Sequence, residues 1–383
     1  MKRFMILPLA MSLTFFCQLA QAEWTATQRL TWTAGDSFYP AIAAAPSGQL
    51  HLVWQESING NFEIYYKRST DGGATWLPSQ RLTWTSYSSE KPAIAVDSSG
   101  HVHVVWSDYA TDNWEIIYKK STNGGATWSA GQRLTWTPGY SEKPFLMADS
   151  SDNLYLVWQD YYASGNPEIY FKKSPDGGSS WTTTQRLTWN SGESTNSAIS
   201  VDSSGNLHVL WNDSTPGNFE IYHKKSTDGG ATWSANQRLT WTAGGSYVPD
   251  TAADTSGNLH TFFHDYTLGP AQIYYKKSPN GGATWSASQR LTWNSGASYE
   301  PSIEIDSAGY LHLVWKYYTP GENNVYYKKS TDGGASWTPG QRLTWTAGTS
   351  EEHDLTIDHS DNLHLVWEDF APGNAEIYYR KGK

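Results

Sequence analysis

The pentapeptide QRLTW occurs seven times in this 383-residue chain, and its regular spacing constrains the fold more than any other feature. The arginine of this motif lies at positions 29, 81, 133, 186, 238, 290 and 342, so the period is 52 or 53 residues. A period near fifty is too long for one coil of a leucine-rich or ankyrin solenoid and suits one four-stranded β-propeller blade. The repeats therefore outweigh the chain length, which alone would allow two or three domains.

Each period contains four segments that read as β-strands. In the second repeat they are Pro92–Asp97, His101–Trp106, Trp114–Lys120 and Gly131–Trp136, all rich in β-branched and aromatic residues. The sequences DSSG and NGGATW supply turn residues between them, and no segment has a sustained helical period. The 21 tryptophans and 24 tyrosines also favour an all-β protein of the extracellular kind.

The two ends of the repeated region predict a closed ring. The segment from Glu23 onward, EWTATQRLTW, matches the fourth strand of a repeat, whereas the final segment, AEIYYRKGK, matches a third strand. Joining them completes a seventh blade and removes an exposed sheet edge. We therefore predict one domain over residues 23–383, a seven-bladed β-propeller of four-stranded antiparallel blades whose N-terminal strand completes the last blade.

Residues 1–22 are predicted to be a secretory signal peptide. Lys2 and Arg3 precede a mostly apolar run, and Ala20-Gln21-Ala22 has the small-residue pattern of a cleavage site. The run is short for a membrane span, and no later segment could serve as one. The only cysteine, Cys17, lies within this segment, so no disulfide is expected after cleavage. We expect a secreted or periplasmic protein that is a monomer.

The charge balance narrows the classes of partner. The formal net charge of the chain is −10, and loss of Lys2 and Arg3 would make it about −12. Nucleic acids and anionic membranes both favour basic proteins, so neither is an expected partner. The sequence shows no cofactor motif, and we expect none.

A second repeated motif, STDGGATW and its variants, lies between the third and fourth strand of six blades. It begins at residues 69, 121, 174, 226, 278 and 330. Its acid or amide and its closing tryptophan are Asp71 and Trp76, Asn123 and Trp128, Asp176 and Trp181, Asp228 and Trp233, Asn280 and Trp285, and Asp332 and Trp337. The pattern S-x-D-x-G-x-x-W resembles the Asp box of the bacterial-neuraminidase-repeat proteins, a family that includes sialidases, and the resemblance covers almost the whole chain after residue 22.

We interpret the Asp box as structural. A carboxylate in a Gly-Gly turn can accept hydrogen bonds from nearby backbone N–H groups, and the tryptophan can pack between strands or blades. Asn123 and Asn280 keep the accepting oxygen but cannot act as acid, base or nucleophile. A calcium loop is the alternative, disfavoured because each box has at most one carboxylate. The histidines at positions 51, 103, 208, 260, 312 and 364 fall on separate blades, so they predict core contacts and no metal site.

The ligand site is predicted at the channel mouth, on the face opposite the Asp boxes, where loops from all blades meet. The residues leading into the innermost strands differ between blades, and an acid follows the second strand in most of them. The candidate ligand-binding residues are Tyr39, Glu90, Lys91, Asp108, Glu142, Lys143, Asp160, Asp213, Tyr247, Asp265, Tyr299, Glu300, Glu351, Glu352 and Asp369. Acids beside aromatic rings suit polyols, because hydroxyls donate to carboxylates while C–H faces stack on rings. The alternative is that these acids cap turns or pair with Lys91 and Lys143.

Two functions fit this pattern. The resemblance to sialidases implies three arginines that hold a substrate carboxylate, but the QRLTW arginines fall on the outermost strand and Arg68 and Arg380 end third strands. No sialidase catalytic residue can be placed on this chain. We therefore favour a non-catalytic module that binds a glycan or an extracellular protein. A glycoside hydrolase that uses mouth carboxylates, such as Glu142 with Glu351, is the alternative.

Overall fold

A computed structural model describes residues 22–109, 113–161, 165–345 and 348–383 of the chain. In these ranges the backbone forms seven four-stranded antiparallel sheets arranged as blades. The innermost strands are β2 (Ser37–Ala44), β6 (Ser89–Val96), β10 (Ser141–Ala148), β14 (Ser194–Val201), β18 (Ser246–Ala253), β22 (Ala297–Ile305) and β26 (Ser350–Ile357). The second strands are β3 (Leu50–Ile58), β7 (Val102–Asp108), β11 (Leu154–Asp160), β15 (Leu207–Asp213), β19 (Leu259–Asp265), β23 (Leu311–Thr319) and β27 (Leu363–Asp369).

The outer half of each blade is built from one long and one very short strand. The third strands are β4 (Asn61–Ser69), β8 (Glu115–Ser121), β12 (Glu168–Ser174), β16 (Glu220–Ser226), β20 (Gln272–Ser278), β24 (Glu322–Ser330) and β28 (Glu376–Gly382). The fourth strands are β1 (Gln28–Arg29), β5 (Gln80–Arg81), β9 (Gln132–Arg133), β13 (Gln185–Arg186), β17 (Gln237–Arg238), β21 (Gln289–Arg290) and β25 (Gln341–Arg342). No helix in the described ranges is long and apolar enough to cross a membrane.

The ring closes as the sequence predicts. Strand β1 pairs with β28, with Gln28 opposite Tyr379 and Arg29 opposite Tyr378, so the seventh sheet has the order β1-β28-β27-β26. Both ends of the described chain therefore lie in one blade. The predicted signal peptide falls outside the described residues, except for Ala22, and stays a prediction.

The fourth strand is shorter than the sequence predicts, and the reason is local. We expected a strand over Gly131–Trp136, but only Gln132 and Arg133 pair with β8. The Leu134 N–H still donates to the Ile116 carbonyl, but the Ile116 N–H donates to the Thr135 hydroxyl oxygen at 2.9 Å. Because a side chain replaces the backbone acceptor, the ladder ends and Trp136 is left outside the sheet, 66% exposed.

The core lies between adjacent blades. In one cluster Val53, Ile64 and Tyr66 of the first blade pack against Val104 and Trp106 of the second. The repeated histidines join this layer, because His103 Nδ1 lies 2.8 Å from the Tyr118 hydroxyl and His103 Nε2 lies 3.0 Å from Asp97. The prediction of core histidines is confirmed.

The Asp box is a turn that closes onto the preceding blade. Asp71 accepts hydrogen bonds from the Ser69 hydroxyl at 2.7 Å and from the Thr75 N–H at 2.9 Å. These donors hold the pKa of Asp71 near 2, with the Thr75 hydroxyl as the largest cause. The ring of Trp76 meets Tyr379 of the neighbouring blade edge-on, with 5.4 Å between centroids. Asn123 bonds to Ser121 and Thr127 in the same way, so this geometry supports the structural interpretation.

Candidate functional site

A ring of seven residues, one per blade, surrounds the mouth of the central channel. Each lies near the start of an innermost strand, at a β-bulge where pairing with the second strand shifts. The ring residues are Tyr39, Lys91, Lys143, Asn196, Val248, Glu300 and Glu352. With His353 and the prolines Pro40, Pro92 and Pro144, they line a cavity of about 600 Å³. That volume is typical of small-molecule sites.

Six of these ring residues have a left-handed backbone. Their φ angles lie between 47° and 52°, and the one at Val248 is the most unfavourable because a β-branched residue rarely adopts it. In this conformation the N–H turns toward the second strand of the preceding blade. The Lys91 N–H donates to Gln55 Oε1 at 2.8 Å, and the Tyr39 N–H donates to a Glu368 carboxylate oxygen at 3.0 Å. The bulges at Tyr39 and Lys91 therefore join their blades to the preceding ones, and the ring side chains line the cavity.

The seventh blade departs from this rule. Glu352 is not among the left-handed residues, and the second-strand residue that precedes it in the ring is Lys316. The ammonium group of Lys316 has no acceptor atom. It therefore cannot accept a backbone N–H from the next blade, as Gln55 of the first blade accepts the Lys91 N–H. Lys316 instead reaches two carboxylates, with Nζ 2.8 Å from Glu300 Oε2 and 3.0 Å from Glu351 Oε2.

Four glutamates and one lysine make this side of the mouth electrostatically distinct. Burial raises the pKa of Glu352 to about 7, with Glu300 adding to the shift. Burial likewise raises the pKa of Glu368 to about 8, with Glu352 as the next unfavourable charge. The same glutamates hold the pKa of Lys316 above its usual value, although burial alone would lower it. Near neutral pH the carboxyl groups of Glu352 and Glu368 therefore keep their protons in part.

The opposite side of the mouth carries two cations. Lys91 Nζ lies 3.7 Å from Glu142, and Lys143 Nζ donates to Asn196 Oδ1 at 3.0 Å. Burial and the Lys91 charge lower the pKa of Lys143, whereas burial raises the pKa of Glu90. Lys91 therefore pairs with an acid of the neighbouring innermost strand. The mouth is polarised, with excess carboxyl groups on one side and amines on the other.

Aromatic rings form a wall beside the acidic side of the mouth. Tyr247 stacks on His264 with 5.7 Å between centroids, and Tyr299 meets His264 edge-on at 5.3 Å. Tyr266 packs against both tyrosines. Burial lowers the pKa of His264 to about 3, so this ring is neutral at physiological pH. A neutral aromatic wall next to carboxyl groups is a surface on which a sugar ring can stack.

The acids that follow the second strands do not line the mouth, which corrects the sequence prediction. These residues are Asp108, Asp160, Asp213, Asp265 and Asp369, all at most 4% exposed. Asp108, for example, accepts hydrogen bonds from the Ser89 hydroxyl at 2.8 Å and from the Trp106 indole at 2.9 Å. Their carboxylates fasten the first strand to the second within a blade, because a buried charge needs such donors. We therefore leave them out of the candidate site.

The other predicted residues come together at the mouth, and four further residues join them. Tyr39, Lys91, Lys143, Glu300 and Glu352 line the cavity, Glu90, Glu142 and Glu351 flank it, and Tyr247 and Tyr299 form the wall. His264, Lys316, His353 and Glu368 were not predicted from the sequence. Each breaks the repeat at its position, where other blades have Gln, Asn, Ser or Pro, and that departure was the available signal.

Below the mouth, three further acids line the channel. Asp250 accepts the Ile303 N–H at 2.9 Å, and Asp354 accepts the Ile42 N–H at 2.8 Å, each from the next blade around the ring. Burial raises the pKa values of Asp250, Asp354 and Glu304 to about 6, 7 and 8. No three His, Cys, Asp or Glu side chains in the described ranges are close enough together to hold a metal ion.

No arginine of the described residues lines the mouth cavity. The QRLTW arginines lie on the outer strand, where Arg81, for example, pairs with Glu63 at 2.9 Å. The three-arginine grip implied by the resemblance to sialidases therefore has no counterpart in this cavity.

Comparison with protein families agrees with this architecture. A family model described as BNR repeat-like domain matches residues 152–362, which is more than half of the chain. The chain belongs to this BNR repeat-like family. No curated protein matches it significantly.

Solved structures share the fold of this BNR repeat-like protein at low sequence identity. A polysaccharide lyase of family PL25, an ulvan lyase bound to -[GlcA(1-4)Rha3S]-, is 12% identical with a TM-score of 0.65, over 92% of this chain and 95% of its own. The Hadza microbial sialidase Hz136 is 19% identical with a TM-score of 0.52, and the match covers 74% of this chain and 63% of the sialidase chain. An α-L-arabinanase of Penicillium chrysogenum, complexed with arabinobiose, is 18% identical with a TM-score of 0.51, and the match covers 73% of this chain and 88% of the arabinanase chain. At these identities the likeness establishes the fold.

Proposed function

We propose that this protein binds a carbohydrate at the channel mouth, in one composite site. The observation that carries the proposal is the asymmetry of the mouth, where blades of nearly identical sequence place different side chains around one cavity. A scaffold that only needed to close a ring could repeat one residue at all seven positions.

The chemistry of the mouth favours a hydroxyl-rich ligand. Glu300, Glu351 and Glu352 offer oxygens that accept hydrogen bonds from hydroxyl groups, and the tyrosine wall offers apolar faces. His353 lines the cavity, with both ring nitrogens buried and its ring close to the Glu300 backbone. Burial lowers the pKa of His353 to about 3, so one nitrogen donates and the other accepts.

The proposal is tested by a glycan array with three proteins. Wild type should bind a restricted set of glycans, and Tyr299→Ala should lose at least tenfold in affinity because the stacking face is removed. Asp71→Asn, on the opposite face, is the matched control and should bind as wild type does. Binding that survives in Tyr299→Ala would contradict the proposal, and so would binding of proteins but no glycans.

A glycoside hydrolase is the second candidate, supported by the raised pKa values of Glu352 and Glu368. A carboxyl group that keeps its proton near neutral pH can act as a general acid on a glycosidic oxygen. A panel of fluorogenic glycosides, including a sialoside, tests this candidate. Turnover that Glu352→Gln abolishes would establish an enzyme, whereas absence of turnover with retained binding would leave the binding function.

A further inference from the structure

Seven tryptophans on the outer rim of the ring are exposed to solvent, and neither the fold nor the channel mouth uses most of their surface. Each closes a QRLTW motif, and the seven side chains are 63% to 70% exposed. They are Trp32, Trp84, Trp136, Trp189, Trp241, Trp293 and Trp345, which we call the rim tryptophans. The remaining tryptophans differ, because Trp54 and its counterparts on second strands are fully buried and the Asp-box tryptophans are half-buried.

Every rim tryptophan is held beside positively charged groups. The arginine of the same motif lies over the ring, with 5.4 to 6.0 Å between its guanidinium carbon and the ring centroid. In five blades a lysine from the third strand of the next blade also lies over the ring, at 5.6 to 5.9 Å. Arg380 takes that place at Trp345, at 5.7 Å.

These cations are fixed in position. Arg29 Nε donates to the Thr31 carbonyl at 2.7 Å, and Lys67 Nζ donates to the Leu30 carbonyl at 2.5 Å. Because Lys67 belongs to the first blade and Trp32 follows the outer strand of the seventh, each site spans a blade junction. A preorganised cation next to an exposed indole costs little ordering entropy when a ligand binds.

The charge of the rim sites is not the same in all blades. In five blades the arginine is paired with a buried glutamate, as Arg238 is with Glu220 at 2.9 Å. The matching residues are Gln272 in the fifth blade and Asn324 in the sixth, where Arg290 and Arg342 are located. Arg342 is 3.5 Å from the exposed Glu322, and no carboxylate pairs with Arg290 among the described residues. Trp293 and Trp345 therefore have the most positive surroundings.

We propose that the rim tryptophans form a multivalent binding surface for an acidic polysaccharide, separate from the channel mouth. Each indole would stack on the C–H face of one sugar ring, while the adjacent arginine, whose side chain is partly exposed, binds its carboxylate or sulfate group. Seven near-identical sites match a polymer of repeating units, and weak single sites gain affinity when one chain engages several.

Affinity electrophoresis tests the proposal, with polygalacturonate in the gel and fully methyl-esterified pectin as the uncharged comparison. Wild type should be retarded by polygalacturonate at least tenfold more strongly than by the ester, and less at 300 mM than at 50 mM NaCl, because salt screens exposed charges. The double variant Trp293→Ala/Trp345→Ala should lose more affinity than Trp84→Ala/Trp136→Ala, and both should keep the melting temperature of wild type.

Control variants separate this surface from the channel mouth. Leu77→Ala removes another exposed apolar side chain, 41% exposed, and should bind as wild type does. Glu300→Gln at the mouth should also keep polygalacturonate binding, so failure of the mouth proposal would leave this result unchanged. Equal retardation of wild type and both double variants would overturn the proposal. Equal binding to the methyl ester, or binding to phosphatidylserine vesicles without binding to polygalacturonate, would overturn it as well.

Discussion

Replacement of Glu368 by glutamine should make the protein more stable at neutral and alkaline pH. Glu368 is 4% exposed, and burial raises the pKa of its carboxyl group from 4.5 to about 8. It accepts the Tyr39 N–H at 3.0 Å, a bond that a glutamine oxygen can also accept. The equivalent residue in two other blades is already a glutamine, Gln55 and Gln159, which shows that an amide fits this position.

The sign of the effect follows from proton linkage. Between pH 4.5 and pH 8 the folded protein keeps the Glu368 proton and the unfolded chain loses it, so wild-type stability falls as pH rises through this window. The difference between a pKa of 4.5 and one of about 8 corresponds to about 5 kcal/mol. Glutamine does not titrate. The advantage of Glu368→Gln should therefore be near zero at pH 4.5, about 3 kcal/mol at pH 7 and about 5 kcal/mol at pH 9.

Urea unfolding, followed by tryptophan fluorescence at five pH values from 4.5 to 9, measures this difference. Comparing the variant with wild type at each pH cancels the opposite contribution of the buried histidines, whose lowered pKa values cost stability below pH 6.5. Glu193→Gln, at an exposed position, is the matched control and should follow wild type at every pH. If Glu368→Gln is no more stable than wild type at pH 9, Glu368 is ionised and well paired in the folded protein, and the reasoning fails.

Three further predictions concern the scaffold. Tyr118→Phe should lower the free energy of unfolding by about 1 to 3 kcal/mol, since the buried His103 Nδ1 loses its hydrogen-bond partner, the Tyr118 hydroxyl at 2.8 Å. Urea unfolding measures this loss, and Tyr87→Phe, at an exposed position, is the control. Val248→Asn should raise that free energy by about 1 kcal/mol, because Asn196 adopts the same left-handed backbone at the equivalent position; a loss of stability would contradict the strain argument. Asp71→Asn should leave the melting temperature unchanged and Asp71→Ala should lower it, and the reverse order would refute the structural interpretation of the Asp box.

Much of the fold could be predicted because the repeats are so similar. Seven QRLTW motifs at one period set the number of blades, and the fourth-strand sequence that follows Glu23 predicted how the ring closes. The length of the fourth strand could not be read in this way. It depends on whether the Thr135 hydroxyl or its backbone meets the Ile116 N–H, and the strand pattern does not distinguish the two.

The site was predicted only in part, because burial and contacts between blades cannot be read from residue type. Variation between repeats identified the ring residues such as Lys91 and Glu300, which the structure brings around one cavity. Asp108 and its counterparts have a residue type that suits sugar binding, but they are buried, and a serine and a tryptophan of the same blade donate hydrogen bonds to Asp108. Residue type does not reveal such burial. Lys316 needed the ring geometry, since its carboxylate partners Glu300 and Glu351 come from other strands and, for Glu351, from the next blade.

Hydrogen–deuterium exchange with a glycan from the array is the most direct test of a ligand site at the channel mouth. Without ligand, exchange should be the same in wild type and in Asp71→Asn away from the altered turn. Added glycan should slow exchange in Ser246–Ala253, Ala297–Ile305 and Ser350–Ile357, the innermost strands that carry the aromatic wall and the acidic cluster. Slower exchange confined to the Asp-box turns on the opposite face, or no change at the mouth with a bound glycan, would contradict the account.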